Sequence, residues 1–217
     1  MVKGTTIEII PAILVKSREE LLARIMRVAP FVKTVQIDVM DGKFVPNLTV
    51  LELDGLPKGQ KYEFHWMVEK PWESIKKISV PAMHIVHIET INSKEDWELV
   101  KGAASENDGM LGVAVNPETY LDRLFPFAGD IHYILIMTVR PGFDGQKYMP
   151  EMEKKIAEAR AAFPEIDIEV DGGINLETIP TAKRAGANKF AAASAIFAKK
   201  DIGVAIIDLK KVAGALR

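Results

Sequence analysis

Eight short runs rich in β-branched and apolar residues recur along the chain, most of them separated by longer stretches of helical period. This alternation constrains the fold more than any other feature. Parallel strands need crossovers long enough to return to the same end of a sheet, and repeated βα units provide them. The strand runs cover residues 7–14, 34–40, 61–68, 82–89, 110–115, 133–139, 167–170 and 188–193. They are nearly continuously apolar rather than strictly alternating, as expected when both faces of a sheet are covered. Eight strands in 217 residues fit a closed (β/α)8 barrel, a TIM barrel of the α/β class, better than an open sheet, with residues 1–217 as a single domain.

Local signals mark the helix starts. Ser17 reads as the N-cap of the stretch 17–29, with Glu20 three residues on completing a capping box. Pro71 opens the stretch 71–78 at its first turn. After the fifth strand, Asn116 and Pro117 read as the cap and first turn of a helix over 117–125. Further helices are expected over 93–104 and 149–163, a weaker one over 176–186, and a last one running through the carboxyl terminus. Residues 41–60 have the poorest helix signal and read as a short or irregular helix.

Composition removes several function classes. The formal net charge is −2, so no global basic field exists to hold nucleic acid or an anionic membrane, and an anionic ligand needs a local device. The chain has no cysteine, which excludes disulfides, thiolate zinc sites and cysteine nucleophiles. Residues 1–14 resemble neither a signal nor a transit peptide, and no uncharged apolar run approaches the roughly 18 residues of a membrane span. The expected setting is the reduced cytoplasm.

In barrels of this kind the chemistry sits where strands end and βα loops begin. Gln36, Asp38 and Met40 are spaced by two on the second strand and share a face, as do His65 and Met67 on the third. Asp41-Gly42 serves as the turn after the second strand, which leaves Asp38 pointing inward. Asp171 ends the seventh strand immediately before Gly172 and Gly173. Carboxylates are rarely buried without a partner or a task. Gly142 and Gly145, Gly172 and Gly173, and Ser194 at a helix start fall in the loops after strands six, seven and eight. Together they form a candidate phosphate cradle built from backbone N–H groups.

These residues lie within longer matching pieces: PAIL, DVMDGKFVPN, HWMVEKP, VHIE, GVAVNP, IMTVRPGFDGQKYMP, EVDGGIN and AGANKFAAASAIF. In this order they resemble the ribulose-phosphate 3-epimerase family along essentially the whole chain. The resemblance implies a TIM barrel that interconverts ribulose 5-phosphate and xylulose 5-phosphate, with a sugar phosphate as its small-molecule partner and a homo-oligomeric assembly. It implies that Asp38 and Asp171, from strands on opposite sides of the barrel, exchange a proton with either face of a planar enediolate. It also implies a divalent metal ion held by Asp38, His65, Asp171 and the residue at position 36, and Met40, Met67 and Met137 as site lining. His65 would also touch the substrate, and His87 with Glu89 would support the site from behind. His84 and His132, near strand starts, read as structural.

The chain also departs from the family pattern. Gln36 stands where the family has a metal-binding histidine, Ala12 where it has a serine, Asp144 where the phosphate loop has glycine, and Ala193 where a glycine precedes Ser194. Arg140 is unusual before the PGF motif and is expected to offset Asp144 by pairing with it or with phosphate. An amide oxygen is a weaker and harder donor than imidazole, so the expectation is a weak or absent metal, or a shift from zinc or iron toward manganese or magnesium. Two alternatives stand beside the epimerase reading: an epimerase for another keto-sugar phosphate, and a non-catalytic sugar-phosphate-binding homologue. Decarboxylases and aldol-type synthases of this barrel group carry a lysine two residues after the strand aspartate. Here that slot holds Met40, which argues against them.

Overall fold

The computed structural model describes residues 6–215. Its strands are β1 (Glu8–Ile13), β2 (Thr34–Met40), β3 (Lys61–Met67), β4 (Met83–His87), β5 (Met110–Val115), β6 (Tyr133–Met137), β7 (Asp167–Asp171) and β8 (Lys189–Ala192). They close in sequence order into one parallel barrel, with β8 pairing back onto β1. The helices are α1 (Arg18–Val28), α2 (Pro71–Ile75), α3 (Lys94–Ser105), α4 (Met152–Ala162), α5 (Thr178–Ala185), α6 (Ser194–Phe197) and α7 (Ile202–Ala213). Among the described residues no helix is long and apolar enough to cross a membrane.

Alternation along each strand divides two environments. Ile37, Val39, Phe64, Trp66 and Val113 belong to the main apolar core together with Leu21 and Ile25 of α1 and Trp97 and Val100 of α3. Each fully buried side chain there contributes roughly 2 kcal/mol. The residues between them enter the barrel, and register lines them up: Ala12 beside Gln36, Gln36 beside Glu63, Asp38 beside His65, Met137 beside Asp171. The barrel interior is therefore polar in several layers, with Gln36, Asp38, Glu63, His65, His87 and Glu169 all buried.

Several local expectations differ from the structure. Ser17 does cap α1, its hydroxyl accepting the Glu20 N–H at 3.2 Å, but the Glu20 carboxylate turns to Arg24 at 2.6 Å, so the capping box is not reciprocated. A complete one forms instead at α3, between Ser93 and Asp96. No α-helix starts at Asn116. Lys155 Nζ donates to the carbonyls of Asn116, Pro117 and Thr119 at 2.6–2.8 Å, the Thr119 N–H closes a tight turn onto Asn116 O at 3.2 Å, and a 3-10 helix over Leu121–Phe127 follows with Pro126 inside it. Proline supplies no N–H, so the segment cannot settle into an α-helical ladder.

Residues 41–60 contain no helix, only turns and an isolated antiparallel bridge between Asp41 and Leu48. Asp41 Oδ1 accepts the N–H groups of Lys43 and Phe44, closing a turn that competes with helix nucleation. The last helix stops at Ala213, where Gly214 takes φ +73°, and residues 216–217 lie outside the described part. Loops at the mouth are tied together. Asn47 Nδ2 donates to Gly142 O at 2.7 Å, and the Thr138 hydroxyl donates to the carbonyls of Asp171 and Gly172.

Candidate active site

The strand ends bring Asp38, His65 and Asp171 together, with one potential ligand atom from each lying within 4.8 Å of the others. Gln36 lies one inward layer below Asp38. Its Nε2 donates to Asp38 Oδ1 at 2.9 Å and to Asp171 Oδ2 at 2.8 Å. His65 Nδ1 approaches the same two oxygens, at 3.2 and 3.6 Å. The other oxygen of each carboxylate takes no part in these contacts, and both aspartates line a cavity in the barrel mouth. The strands are not diametrically opposed, because β2 and β7 are separated by β1 and β8 alone. The carboxylates consequently meet as neighbours across one corner of the barrel.

Behind His65 runs a relay of buried groups. His65 Nε2 lies 2.8 Å from His87 Nε2, His87 Nδ1 lies 3.1 Å from Glu89 Oε2, and Glu89 Oε1 accepts the Asn116 N–H at 2.9 Å. Burial lowers His87 to about 4. Burial alone would raise Glu89, but the His87 and Asn116 hydrogen bonds outweigh it and bring Glu89 to about 2. At neutral pH a neutral His87 therefore donates Nδ1–H to an ionised Glu89 and accepts Nε2–H from His65. That order leaves His65 Nδ1 facing the aspartates. Burial pulls His65 down, yet its hydrogen bonds to Asp171 and Asp38 and their charges win and raise it to about 9. Burial raises Asp38, reinforced by the Asp171 charge and opposed by bonds from His65 and Gln36. Burial with the Asp171 carboxylate nearby thus favours the protonated form of Asp38.

The same cavity collects Gly142, Gly145, Gly172, Gly173 and Ser194, together with Met40, Met67 and Met137. Glycine is required after β7. Gly173 sits at φ +64°, and a β-carbon there would overlap the Tyr148 backbone nitrogen. Ala193 lines the cavity as well, whereas Ala12 is buried beside Gln36. Arg140 does not pair with Asp144. Its Nε binds Glu118 at 2.6 Å, while Asp144 Oδ1 takes the Gly145 N–H at 2.6 Å. His84 is buried on the helix side of β4, accepting from Trp66 Nε1, and His132 is exposed.

Reading the strand ends alone missed the floor of the site. Glu63 and Glu169 are buried beneath it, with Tyr133 bonded to Glu169 and Lys189 near Glu8, Glu63 and Asp167. Their signal was present in the sequence, since Glu63 precedes His65 by two and Glu169 precedes Asp171 by two, on the same inward faces.

Residues 8–197 match the family model described as the ribulose-phosphate 3 epimerase family. The cytoplasmic isoform of ribulose-phosphate 3-epimerase from Oryza sativa subsp. japonica is 36% identical over 186 residues, covering 82% of this chain and 81% of that protein. The ribulose-phosphate 3-epimerase of Eremothecium gossypii is 40% identical over 184 residues, covering 77% and 76%. Among solved structures, KGPDC from Streptococcus mutans superposes with a TM-score of 0.75 at 13% identity, covering 95% of this chain and 96% of its own. At that identity the likeness concerns the fold.

Proposed function

The chain belongs to the ribulose-phosphate 3-epimerase family, and we propose that it interconverts ribulose 5-phosphate and xylulose 5-phosphate by two-carboxylate proton transfer at C3. The observation that carries this reading is the convergence of Asp38 and Asp171 in one cavity with the glycine loops after β6 and β7 and with Ser194.

Epimerisation next to a ketone removes a proton from one face of the carbon and returns one to the other. The two aspartates take these roles, one ionised as base and one protonated as acid, and they exchange roles when the reaction runs backward. Met40, Met67 and Met137 offer an apolar, polarizable lining to the planar intermediate and keep water from it. Backbone N–H groups of the loops after β6, β7 and β8 hold the phosphate and set the register of C3 against the acids.

The donor set suits a divalent cation, since Asp38, His65 and Asp171 converge and the buried Gln36 Oε1 has no other partner. Such an ion, held by these residues, supplies stabilisation to the negative charge that builds on the substrate oxygens. One imidazole with oxygen donors favours manganese or magnesium over zinc.

The test is epimerisation of ribulose 5-phosphate by chelated protein, alone and after addition of manganese, magnesium or zinc. Chelation is expected to lower activity at least tenfold, and manganese or magnesium to restore it. Full activity after chelation, or restoration by zinc alone, contradicts the metal assignment. A second reading, an epimerase for a different keto-sugar phosphate, draws on Ala12 and Asp144, and a substrate panel of pentulose and hexulose phosphates separates the two.

A further inference from the structure

Gln36 is placed where a donor and an acceptor are both needed, but not at the same time. In the present arrangement its Nε2 cross-links the two aspartates, at 2.9 and 2.8 Å, and so relieves the repulsion between carboxylates that share one corner of the barrel. The other end of the amide is left without a partner. Gln36 is fully buried, and its Oε1 accepts no hydrogen bond. Two more buried oxygens of the barrel interior are also unpartnered, Glu63 Oε2 and Glu169 Oε1. Glu63 is the register neighbour of Gln36 on the adjacent strand β3, and both side chains turn into the barrel. Buried polar oxygens without a hydrogen-bond partner are rare in folded proteins.

A half-turn about the last side-chain bond exchanges oxygen and nitrogen while leaving the outline of the amide unchanged. We propose that Gln36 makes this half-turn when a divalent cation enters, so that its Oε1 joins Asp38, His65 and Asp171 as the fourth protein ligand. The same turn carries Nε2 away from the corner and offers a donor to its register neighbour Glu63, whose Oε2 lacks a partner. An N–H aimed at the shared corner repels a cation, so the present orientation is not the one that binds it. The turned one leaves both ends of the amide satisfied. His65 keeps its place, because the His87–Glu89 relay already holds its Nδ1 toward the corner, and it releases its Nδ1 proton to solvent as the cation binds.

Two consequences separate this arrangement from an inert glutamine. Three oxygen donors with one imidazole select an oxygen-preferring ion. The amide also reports on loading, because its two N–H groups exchange carboxylate partners above for acceptors below. The inference deepens the reading of this corner as a cation site and is independent of which sugar phosphate is turned over.

The test uses the intact protein and needs no substrate. In 15N-labelled protein the Gln36 side-chain amide pair is identified by its absence from Gln36→Glu, and magnesium is then titrated in. Both signals are expected to move together and to saturate with one ion per chain. Calorimetric titration with manganese and with zinc adds a second readout. Gln36→Leu should bind manganese at least tenfold more weakly than the wild type, and Gln36→His should shift the preference toward zinc by a similar factor. An amide pair that stays in place at saturating magnesium overturns the half-turn, as does Gln36→Leu binding manganese as tightly as the wild type. A wild-type protein that binds none of the three ions overturns the cation site and the half-turn together.

Discussion

Asp144 places a carboxylate in the cavity proposed to receive the phosphate, and its Oδ1 occupies the Gly145 N–H at 2.6 Å. A dianion entering the cradle must displace that bond and approach a like charge. Asp144→Gly is expected to lower KM for ribulose 5-phosphate about tenfold, near 1.4 kcal/mol, with kcat little changed, because uniform binding alone is altered. Steady-state kinetics on the variant check this, and a raised KM would mean that Asp144 helps to bind the substrate. Asp38, His65 and Asp171 were legible from their positions at strand ends and from period-two spacing. The partners of Gln36 and Arg140 were not. Whether an amide or a guanidinium meets a phosphate, a metal site or Glu118 depends on chain segments far apart in sequence, and composition carries no trace of that choice.

At the scale of elements, the barrel wall and the loop after β7 make separate demands. Gly173 has φ +64° and backbone packed against it, so Gly173→Ala is expected to cost on the order of 3 kcal/mol. Gly102, inside α3 with open space around it, provides the contrast, and Gly102→Ala is expected to stabilise by about 0.5–1 kcal/mol. Urea unfolding of both variants tests the pair. Between β3 and β4, Trp66 Nε1 donates to His84 Nδ1 at 3.2 Å, and burial lowers His84 to about 4. The folded state therefore binds fewer protons here than the unfolded chain. The stabilisation is complete above the ordinary histidine value near 6.5 and is lost as pH falls toward 4, by about 3 kcal/mol in all. Measured between pH 7 and 4.5, unfolding of wild type should lose stability more steeply than His84→Gln; parallel curves would refute it. Strands and long helices were readable because their periodicity is local. The segment after β5 was not, since Lys155, from a helix nearly forty residues away, decides where its carbonyls point.

For the whole molecule, closure of β8 onto β1 is what brings β2 and β7 close enough for Asp38 and Asp171 to share a glutamine. Strand count made a barrel the favoured reading, but closure pairs segments some 180 residues apart, and no local pattern encodes it. Closure also encloses the acidic floor. Burial raises Glu63 to about 7 against the pull of Lys189, and that charge balance exists only in the assembled barrel. The central claim is that two separate carboxyl groups serve the two faces of one carbon. Its most direct test is turnover in deuterated water, followed by NMR at C3 for the wild type, Asp38→Asn and Asp171→Asn. The account predicts that the wild type delivers xylulose 5-phosphate with solvent deuterium at C3. Each variant should lose inversion by at least about a thousandfold, one still exchanging the C3 proton of ribulose 5-phosphate and the other that of xylulose 5-phosphate. Inversion that survives in either variant, or that retains the original proton at C3, would contradict it.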